Sequence, residues 1–555
     1  MTFERASATA LRSAPGMANA RAASGALGIA ALTAAALLPF LNKPFNIDDP
    51  LFLWSARQIT HAPLDFYGAL VNWYGFDQPL HAVVNNPPLV AYAIAAASRL
   101  VGFSEPALHA AFLVPAAAAS VGTACLAARL GAPPVLAALL LLASPAFLTS
   151  ATSVMSDVPL LAGFVWALFF WLRGLEERRP GSLFAAGALV AAAALTKYFG
   201  IALIPLLALV ALWRERRLGL WCAALLVPLL VLAAYQWGTH ELYGHGLLSD
   251  ATAYASVYRT NRESGLLERT LLGLSFTGAC AAPLPFFLPL LVSWRGLAAG
   301  ILAAGALLLF HLAERFGLAA QIALHAVVGA FALGLPLVDF ARRRSADALL
   351  LLAWVIGTFV FATWLNWTVN ARSILPLLPA LAILVARRLA ERRTGRVARL
   401  APLLPAAALA FVVASEDQRI AENAKHAAES LHAKYGGRAD ALWFQGHWGF
   451  QYYMQEYGFR PLDQGRSRLP AGSRVARQLH NSNVFPLPWQ QVRRIEHQEV
   501  PPGFAAVMDG HAGAGFYTSL WGPLPFAFGG AQPDRFAVFE VTRPIEFELR
   551  MEETP

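Results

Sequence analysis

Long apolar stretches recur along most of this chain, and they constrain its fold more than any other feature. A helix of about 20 mostly apolar residues crosses roughly 30 Å of hydrocarbon, and such stretches follow one another from residue 23 to residue 415. Of the 555 residues, 57% are hydrophobic and only 14% are charged. Because a water-soluble domain of this size does not have this balance, the sequence predicts an all-α polytopic membrane protein.

The apolar stretches define a transmembrane domain at residues 23–415, after a cytoplasmic N-terminus at residues 1–22. We predict a bundle of about thirteen transmembrane helices. The predicted spans lie near residues 23–42, 106–128, 133–150, 158–173, 182–196, 200–213, 218–237, 268–293, 297–313, 318–339, 347–365, 373–388 and 399–415. Residues 416–555 lack such stretches but contain short alternating segments such as 536–541. This part is predicted to form a C-terminal extracytoplasmic α/β domain.

Positive residues form short clusters between the apolar stretches, and the formal net charge is +9. Because loops rich in Lys and Arg stay in the cytoplasm during insertion, the clusters predict topology rather than a nucleic-acid site. The main clusters lie at residues 173–179, 214–217, 342–344 and 387–399. They all fall inside if residues 88–100 lie flat on the outer interface, and the first outer loop is then residues 43–105. The alternative is a true span at this segment that a span missed elsewhere compensates.

Three acidic residues lie at the outer ends of predicted spans. Asp48 and Asp49 follow the first span, and Asp157 precedes a later one. One carboxylate can take a proton from an attacking hydroxyl while another orients it, and the three together could hold a divalent metal ion. Helix capping is the alternative at all three positions, since acidic residues, and Asp before Pro in particular, suit a helix start.

Four positive residues also fall on the predicted outer face. Lys197 lies at a tight outer turn, Arg372 begins a span, and Arg259 and Arg262 lie in a loop between spans. Outer cations run against the inside preference, and binding a phosphate leaving group as its bond to a sugar breaks would explain them. For Lys197, simple extension toward lipid headgroups is the alternative.

Further polar residues could contact a substrate. His81, Asn85 and Asn86 precede the interfacial segment, where they could bind sugar hydroxyls or fix the flat helix. Tyr254 and Tyr258 stand one helical turn apart and could contact a sugar or belong to an interfacial aromatic belt. The three cysteines lie inside apolar stretches, so the sequence suggests neither a disulfide framework nor a zinc site.

The order and shared sidedness of these motifs resemble the GT-C glycosyltransferases of the protein O-mannosyltransferase and aminoarabinose-transferase type. The resemblance covers residues 23–415. It is carried by Asp48-Asp49 after the first span, Asn86-Pro87-Pro88-Leu89, Ser156-Asp157-Val158-Pro159, Leu195-Thr196-Lys197, and Arg372 followed by Leu375-Pro376-Leu377-Leu378-Pro379. The chain departs from the family pattern by having Asp-Asp instead of Asp-Glu, and Asn86 where His or Lys is common. Metal use and sugar identity are therefore left open.

The resemblance implies a GT-C-like fold with two interfacial helices in the first outer loop. It also implies transfer of a sugar from a polyprenyl-phosphate donor to an envelope glycan, lipid or protein acceptor, with no nucleic-acid partner. Under this hypothesis Asp48 or Asp49 acts as general base, Asp157 supports it, and Lys197 and Arg372 hold the departing phosphate. The implied setting is a bacterial inner membrane with a periplasmic active site.

Two other classes of protein fit the same bulk features. A transporter or flippase predicts ionisable residues near the bilayer midplane and often two related halves, whereas the charged candidates here gather at one interface. A non-catalytic protein of envelope assembly would use mainly the C-terminal domain and would tolerate substitution of Asp48 and Asp157.

Overall fold

The computed structural model describes residues 15–260, 265–310, 315–392, 394–437 and 442–547. Within these residues, nine helical segments are long and apolar enough to cross a membrane. They are Ala23–Phe40, Glu105–Arg129, Asp157–Glu176, Tyr198–Glu215, Leu220–Tyr243, Phe316–Arg343, Ala346–Leu365, Ala371–Glu391 and Arg396–Tyr435. The prediction of a polytopic helical membrane protein is confirmed.

The remaining predicted spans coincide with bent or short helices. Pro134–Leu142 and Pro145–Ala151 meet at 71°, and Leu266–Cys280 and Pro283–Leu291 meet at 89°. A proline stands at the start of the second helix of each pair, where its fixed φ and missing N–H suit a helix start after a break. Pro180–Thr196 and Trp294–Leu309 are shorter apolar helices. Nine to eleven spans qualify by length and composition among the described residues, so the count of thirteen stays a prediction.

Two glycines let neighbouring helices pack backbone to backbone. A Cβ added to Gly278 would lie 1.9 Å from the carbonyl oxygen of His325, and one added to Gly329 would lie 2.1 Å from that of Leu274. Hydrocarbon provides no hydrophobic force between helices, so close packing at small residues is a main source of their association. This contact joins the helices Leu266–Cys280 and Phe316–Arg343.

The centre of the bundle is tightly packed, and its two buried indole N–H groups are paired. Trp171 and Trp354 are fully buried, and their indole N–H groups donate to the carbonyls of Leu207 (3.1 Å) and Pro376 (2.8 Å). An unpaired donor in hydrocarbon would cost several kcal/mol. These bonds therefore allow large indoles to fill the core.

Ion pairs gather at one end of the bundle. Arg129 pairs with Glu176 and with Glu177 (2.7 Å), and Arg214 pairs with Glu176 (2.8 Å) and Asp347. The helix Asp157–Glu176 has 20 residues, so about 30 Å of helix separate its two ends. Asp157 therefore lies at the opposite end of the bundle from this basic cluster, as the topology prediction requires.

The first loop after span Ala23–Phe40 contains two 13-residue helices, Asp49–His61 and Leu89–Val101. Between them lies a two-stranded sheet, Leu70–Asn72 with Asp77–Pro79. A helix of 13 residues is too short to cross a bilayer. The segment predicted to lie flat at residues 88–100 is thus a helix of the expected length and place.

The C-terminal part, residues 416–547, starts inside a helix rather than at its end. Helix Leu403–Tyr435 continues past residue 416, and a mixed five-stranded sheet and the short helix Trp448–Glu456 follow. In spatial order the strands are Arg460–Pro461, Leu442–Gln445, Arg474–Gln478, Asp534–Val541 and Val492–Val500. The first three strands run parallel to one another. The strand Asp534–Val541 pairs antiparallel with both of its neighbours. The predicted α/β architecture is confirmed, and 536–541 lies in a strand.

Candidate active site

Asp48 and Arg372 form an ion pair where two segments far apart in the sequence meet. The Arg372 Nη1 donates to Asp48 Oδ2 at 2.7 Å, although 324 residues separate the two. Asp48 precedes the helix Asp49–His61, but its side chain makes no capping hydrogen bond. Ile47 just before it has φ 53°, a left-handed conformation that is strained for a β-branched residue. The loop is thus held in a shape that turns the Asp48 carboxylate toward Arg372.

Asp157 and Lys197 form a second ion pair beside the first. The Lys197 Nζ donates to Asp157 Oδ1 at 2.6 Å, and the other carboxylate oxygen lies 4.0 Å from Arg372 Nη1. Asp157 is only 3% exposed, so its charge needs these cations. The structure therefore brings together Asp48, Asp157, Lys197 and Arg372, all four predicted from the sequence. Lys197 pairs with a buried carboxylate instead of extending freely toward lipid.

Three atoms of this cluster remain open to a ligand. Among the described residues, Asp48 Oδ1 and Arg372 Nη2 have no hydrogen-bond partner, and the Lys197 ammonium has one donor engaged. The Asp48 side chain is 27% exposed and that of Lys197 23%. This partly exposed cluster thus has a carboxylate oxygen and two cationic donors that are not fully engaged, which suits a proton-accepting group beside an anion.

Asp49 has a different environment from its neighbour. It is 1% exposed and accepts the backbone N–H groups of Asn46 (3.0 Å) and Val154 (2.8 Å). Burial raises the pKa of Asp49 to about 7, while Lys43 and the two N–H donors act in the opposite direction. Asp49 therefore joins the Asp48 loop to the loop before Asp157, and neither of its oxygens is open.

A buried charged network behind the site was missed by the sequence analysis. Lys43 lies 2.5 Å from Asp417 and also donates to Thr152 (3.0 Å) and Ser153 (3.3 Å). The hydroxyl of Tyr517 donates to both Asp417 oxygens at 3.0 and 2.9 Å. Lys43 is a cation on the predicted outer face directly after a span, the same signal that selected Lys197. Tyr517 had no comparable signal, because it lies in a region of irregular pattern.

The three predicted carboxylates do not form a metal site. Both Asp49 oxygens accept hydrogen bonds from backbone N–H groups. Asp157 is paired with Lys197, and Asp48 is paired with Arg372. In the described ranges, no group of three His, Cys, Asp or Glu side chains could hold a metal ion. Because cations already neutralise Asp48 and Asp157, the residues do not fit a divalent ion, and the hypothesis of metal binding by Asp48, Asp49 and Asp157 is not supported.

His81 belongs to a separate polar cluster. Its Nδ1 lies 3.1 Å from His245 Nε2, His245 contacts Asp250 through Nδ1, and the His81 ring stacks on Tyr243 at 4.7 Å. Burial and the neighbouring His245 lower the pKa of His81. His245 and Asp250 were not predicted.

Asn85 and Asn86 are half-buried just before the helix Leu89–Val101. The Tyr67 hydroxyl donates to the carbonyl of Asn86 at 2.7 Å, and the backbone N–H of Tyr67 donates to the Tyr243 hydroxyl at 2.9 Å. Asn86 therefore has a structural bond that fixes the entry to the flat helix, which agrees with one of the two predicted roles.

The remaining candidates lie on or after the helix Leu247–Thr260. Tyr254 packs edge-on against Trp367, with ring centroids 5.8 Å apart. Arg259 is half-buried, and in the described part of the chain no hydrogen bond or ion pair joins it to the four-residue cluster. Tyr258 lies on this helix, and Arg262 lies outside the described residues.

Comparison with known proteins gives one family match. Residues 85–237 match the sequence model of the family described as dolichyl-phosphate-mannose-protein mannosyltransferase. This stretch includes Asp157 and Lys197. No curated protein sequence matches the chain.

Solved structures of low sequence identity align with most or part of the chain. The apo oligosaccharyltransferase of Archaeoglobus fulgidus is 14% identical, and the alignment covers 80% of this chain and 65% of that one with a TM-score of 0.49. ArnT from Cupriavidus metallidurans bound to undecaprenyl phosphate is 15% identical, with 84% and 94% covered and a TM-score of 0.42. The Pmt1-Pmt2 complex of S. cerevisiae bound to the sugar donor is 14% identical, with 44% and 37% covered and a TM-score of 0.31.

The family match falls on the stretch that contains two of the four clustered charges, Asp157 and Lys197. It confirms the resemblance predicted from the motifs: over residues 85–237 this multi-pass membrane chain is similar in sequence to the dolichyl-phosphate-mannose-protein mannosyltransferase family.

Proposed function

We propose that this chain transfers a sugar from a polyprenyl-phosphate donor to an envelope glycan, lipid or protein acceptor. The observation that carries the proposal is the convergence of Asp48, Asp157, Lys197 and Arg372 from four separate segments. The segments end at the same side of the bundle, where a lipid-linked phosphate at the membrane surface can reach them. The cluster supplies both a base and cations for a leaving phosphate.

The proposed setting is the periplasmic face of a bacterial inner membrane. The support is the distribution of charge, because the basic cluster around Arg129 and Arg214 lies at the far end of the same helices. Sugar nucleotides are cytoplasmic, so an outward-facing transferase needs a donor that the membrane itself presents. A polyprenyl phosphate meets this requirement.

In the proposed reaction the acceptor hydroxyl loses its proton to Asp48 Oδ1. The hydroxyl oxygen then forms a bond to the anomeric carbon as the bond from that carbon to the phosphate oxygen breaks. The electron pair leaves with polyprenyl phosphate, whose charge Arg372 and Lys197 bind. Asp157 holds these two cations in place, and Asp49 fixes the loop. A single displacement of this kind inverts the anomeric centre.

The direct test is release of polyprenyl phosphate from a panel of radiolabelled polyprenyl-phosphate sugars by the full chain in nanodiscs. An envelope extract supplies the acceptor. We expect one member of the panel to be consumed, and Asp48→Asn to reduce the rate by about 10²- to 10⁴-fold. Asp77→Asn, an exposed carboxylate of the same outer loop, is the matched control and should keep the rate. Failure of the wild type on every donor, or full activity of Asp48→Asn, would contradict the proposal.

A further inference from the structure

The loop that carries Arg372 is held by residues of the C-terminal region. The N–H of Ala371 donates to the carbonyl of Phe516 (2.9 Å), and the N–H of Ser519 donates to the carbonyl of Val369 (2.8 Å). The hydroxyl of Thr368 also lies 2.9 Å from that of Ser519. Two backbone bonds to residues just before Arg372 thus come from one short segment, residues 516–519, which we call the clamp.

Tyr517 in the clamp touches both the site and the buried charge network. Its ring lies under the Arg372 guanidinium, 5.2 Å from carbon to centroid, and its hydroxyl donates to Asp417. The Asp417 carboxylate is paired with Lys43 and accepts hydrogen bonds, so the phenol is the donor. Burial and Asp417 raise the pKa of Tyr517, which agrees with a neutral donor. Both ends of this 3% exposed side chain are fixed.

A second contact from the C-terminal region holds the loop of Asp48. The N–H of Gly449 donates to Asn46 Oδ1 (3.1 Å), and the N–H of Phe45 donates to the Tyr453 hydroxyl (2.8 Å). A Cβ on Gly449 would lie 2.4 Å from the carbonyl oxygen of Phe45. Both loops that supply the Asp48–Arg372 pair therefore rest on the same region.

We propose that the C-terminal region completes the charged site, and that Tyr517 is a positioning residue that holds the Arg372 guanidinium in place to bind the donor phosphate. The flat ring supports one face of the guanidinium while its edge remains free for oxygen ligands. Without the ring, Arg372 could turn fully onto Asp48 and leave the phosphate with Lys197 alone. This inference rests on the proposed function, because it assigns a phosphate to Arg372.

The test compares binding of radiolabelled polyprenyl phosphate by Tyr517 variants of the full chain in nanodiscs. Tyr517→Leu removes the ring and should weaken binding about 10-fold. Tyr517→Phe keeps the ring and should bind within about 3-fold of the wild type. Tyr435→Leu is the matched control, since Tyr435 also lies under an arginine, Arg474 at 5.1 Å, away from the site. It should bind like the wild type.

A double-substitution cycle separates positioning from general damage. If Tyr517 acts through Arg372, Tyr517→Leu should weaken binding little further once Arg372→Lys is present. Wild-type affinity in Tyr517→Leu, additive losses, or an equal loss in Tyr435→Leu would each overturn the inference.

A ligand-free measurement keeps this inference separate from the proposed function. The Arg372→Lys and Tyr517→Leu substitutions should lower the thermal unfolding midpoint by less together than the sum of their single effects. If the wild type binds no polyprenyl phosphate, the proposed function fails, and this cycle still decides whether Tyr517 positions Arg372. Additive midpoints would contradict the positioning role.

Discussion

At the scale of single residues, the site is a balance of two carboxylates and two cations. Asp157 is buried between Lys197 and Arg372, whereas Asp48 is partly exposed and pairs with Arg372 only. This asymmetry gives the two acidic residues different tasks. The buried carboxylate fixes the cations, and the exposed one keeps an oxygen free for a proton.

Substituting Lys197 should distinguish its contribution to the stability of the protein from its contribution to sugar transfer. Lys197→Met leaves the buried Asp157 carboxylate with only the more distant Arg372, which should cost about 3 to 5 kcal/mol of stability. Adding Asp157→Asn removes the unpaired charge and should restore most of the thermal midpoint. Sugar transfer should stay low in both variants, because the phosphate has lost a cation. Recovery of transfer in the double variant would argue against a role for Lys197 in phosphate binding.

Asp49 makes stability depend on pH in a defined direction. Its folded pKa, about 7, is raised above the ordinary 3.8, so between these values the folded protein keeps a proton that the unfolded chain releases. The free energy of unfolding should therefore fall as pH rises from about 4 to about 7, by at most about 4 kcal/mol from this group. Above pH 7 its contribution is constant.

The measurement is the thermal midpoint of the wild type and of Asp49→Asn at pH 5 and pH 8. Asp49→Asn carries no titrating group, so its midpoint should change less between the two pH values. Asp77→Asn, at an exposed position, should behave like the wild type. Equal pH dependence in Asp49→Asn and the wild type would contradict this account.

The sequence indicated which charges meet but not how each one is used. Lys197 and Arg372 stood out because outer cations run against the inside preference, and helix ends on one side of a bundle are close in space. Asp48 and Asp49 are adjacent in sequence, so no pattern could distinguish the exposed one from the buried one. That difference arises from Val154 and Asn46, whose N–H groups meet only Asp49.

At the scale of elements, the charged residues lie on short loops that the C-terminal region holds in place. The helix Trp448–Glu456 packs on the loop before Asp48, and the segment 516–519 packs on the loop before Arg372. Such contacts join residues about 145 to 400 positions apart in the chain, where sequence periodicity contains no information. Helices and spans were predictable because apolar length alone determines them. The contacts that the helix Trp448–Glu456 and the clamp make with the two loops were not predictable.

Substitution of Gly449 tests whether the position of the Asp48 loop depends on its contact with the helix Trp448–Glu456. In Gly449→Ala the new methyl group would meet the Phe45 carbonyl at 2.4 Å, so the loop must move and Asp48 with it. A shift of this size should lower the transfer rate about 100-fold, with polyprenyl phosphate binding less affected because Arg372 is held separately.

Gly437→Ala provides the control for this substitution. A Cβ at Gly437 meets nothing within 4 Å, so transfer should stay at the wild-type rate. Activity in Gly449→Ala equal to that in Gly437→Ala would show that the contact at Gly449 does not set the position of Asp48.

At the scale of the whole molecule, the two ends of the bundle differ in charge. One end carries the ion pairs of Arg129, Glu176 and Arg214, and the other carries the candidate site. From the positive-inside rule we expect the first end to face the cytoplasm. The fold therefore predicts that the site, the first loop and the C-terminal region share one outer compartment.

Cysteine labelling can test this sidedness in a variant whose three native cysteines are replaced by Ala. Asp77→Cys lies in the first loop, and Gly181→Cys lies at an exposed position near the basic cluster. A membrane-impermeant maleimide applied to spheroplasts should label position 77 at once and position 181 only after permeabilisation. Labelling of both positions in intact spheroplasts, or of 181 alone, would contradict the topology.

The most direct test of the central claim is a structure of the full chain in nanodiscs with bound polyprenyl phosphate. The account predicts the phosphate within hydrogen-bond distance of Arg372 Nη2 and Lys197 Nζ, with Asp48 Oδ1 facing the side where an acceptor would approach. A phosphate bound at the opposite end of the bundle, or bound on the outer side without contact to Arg372 or Lys197, would contradict it.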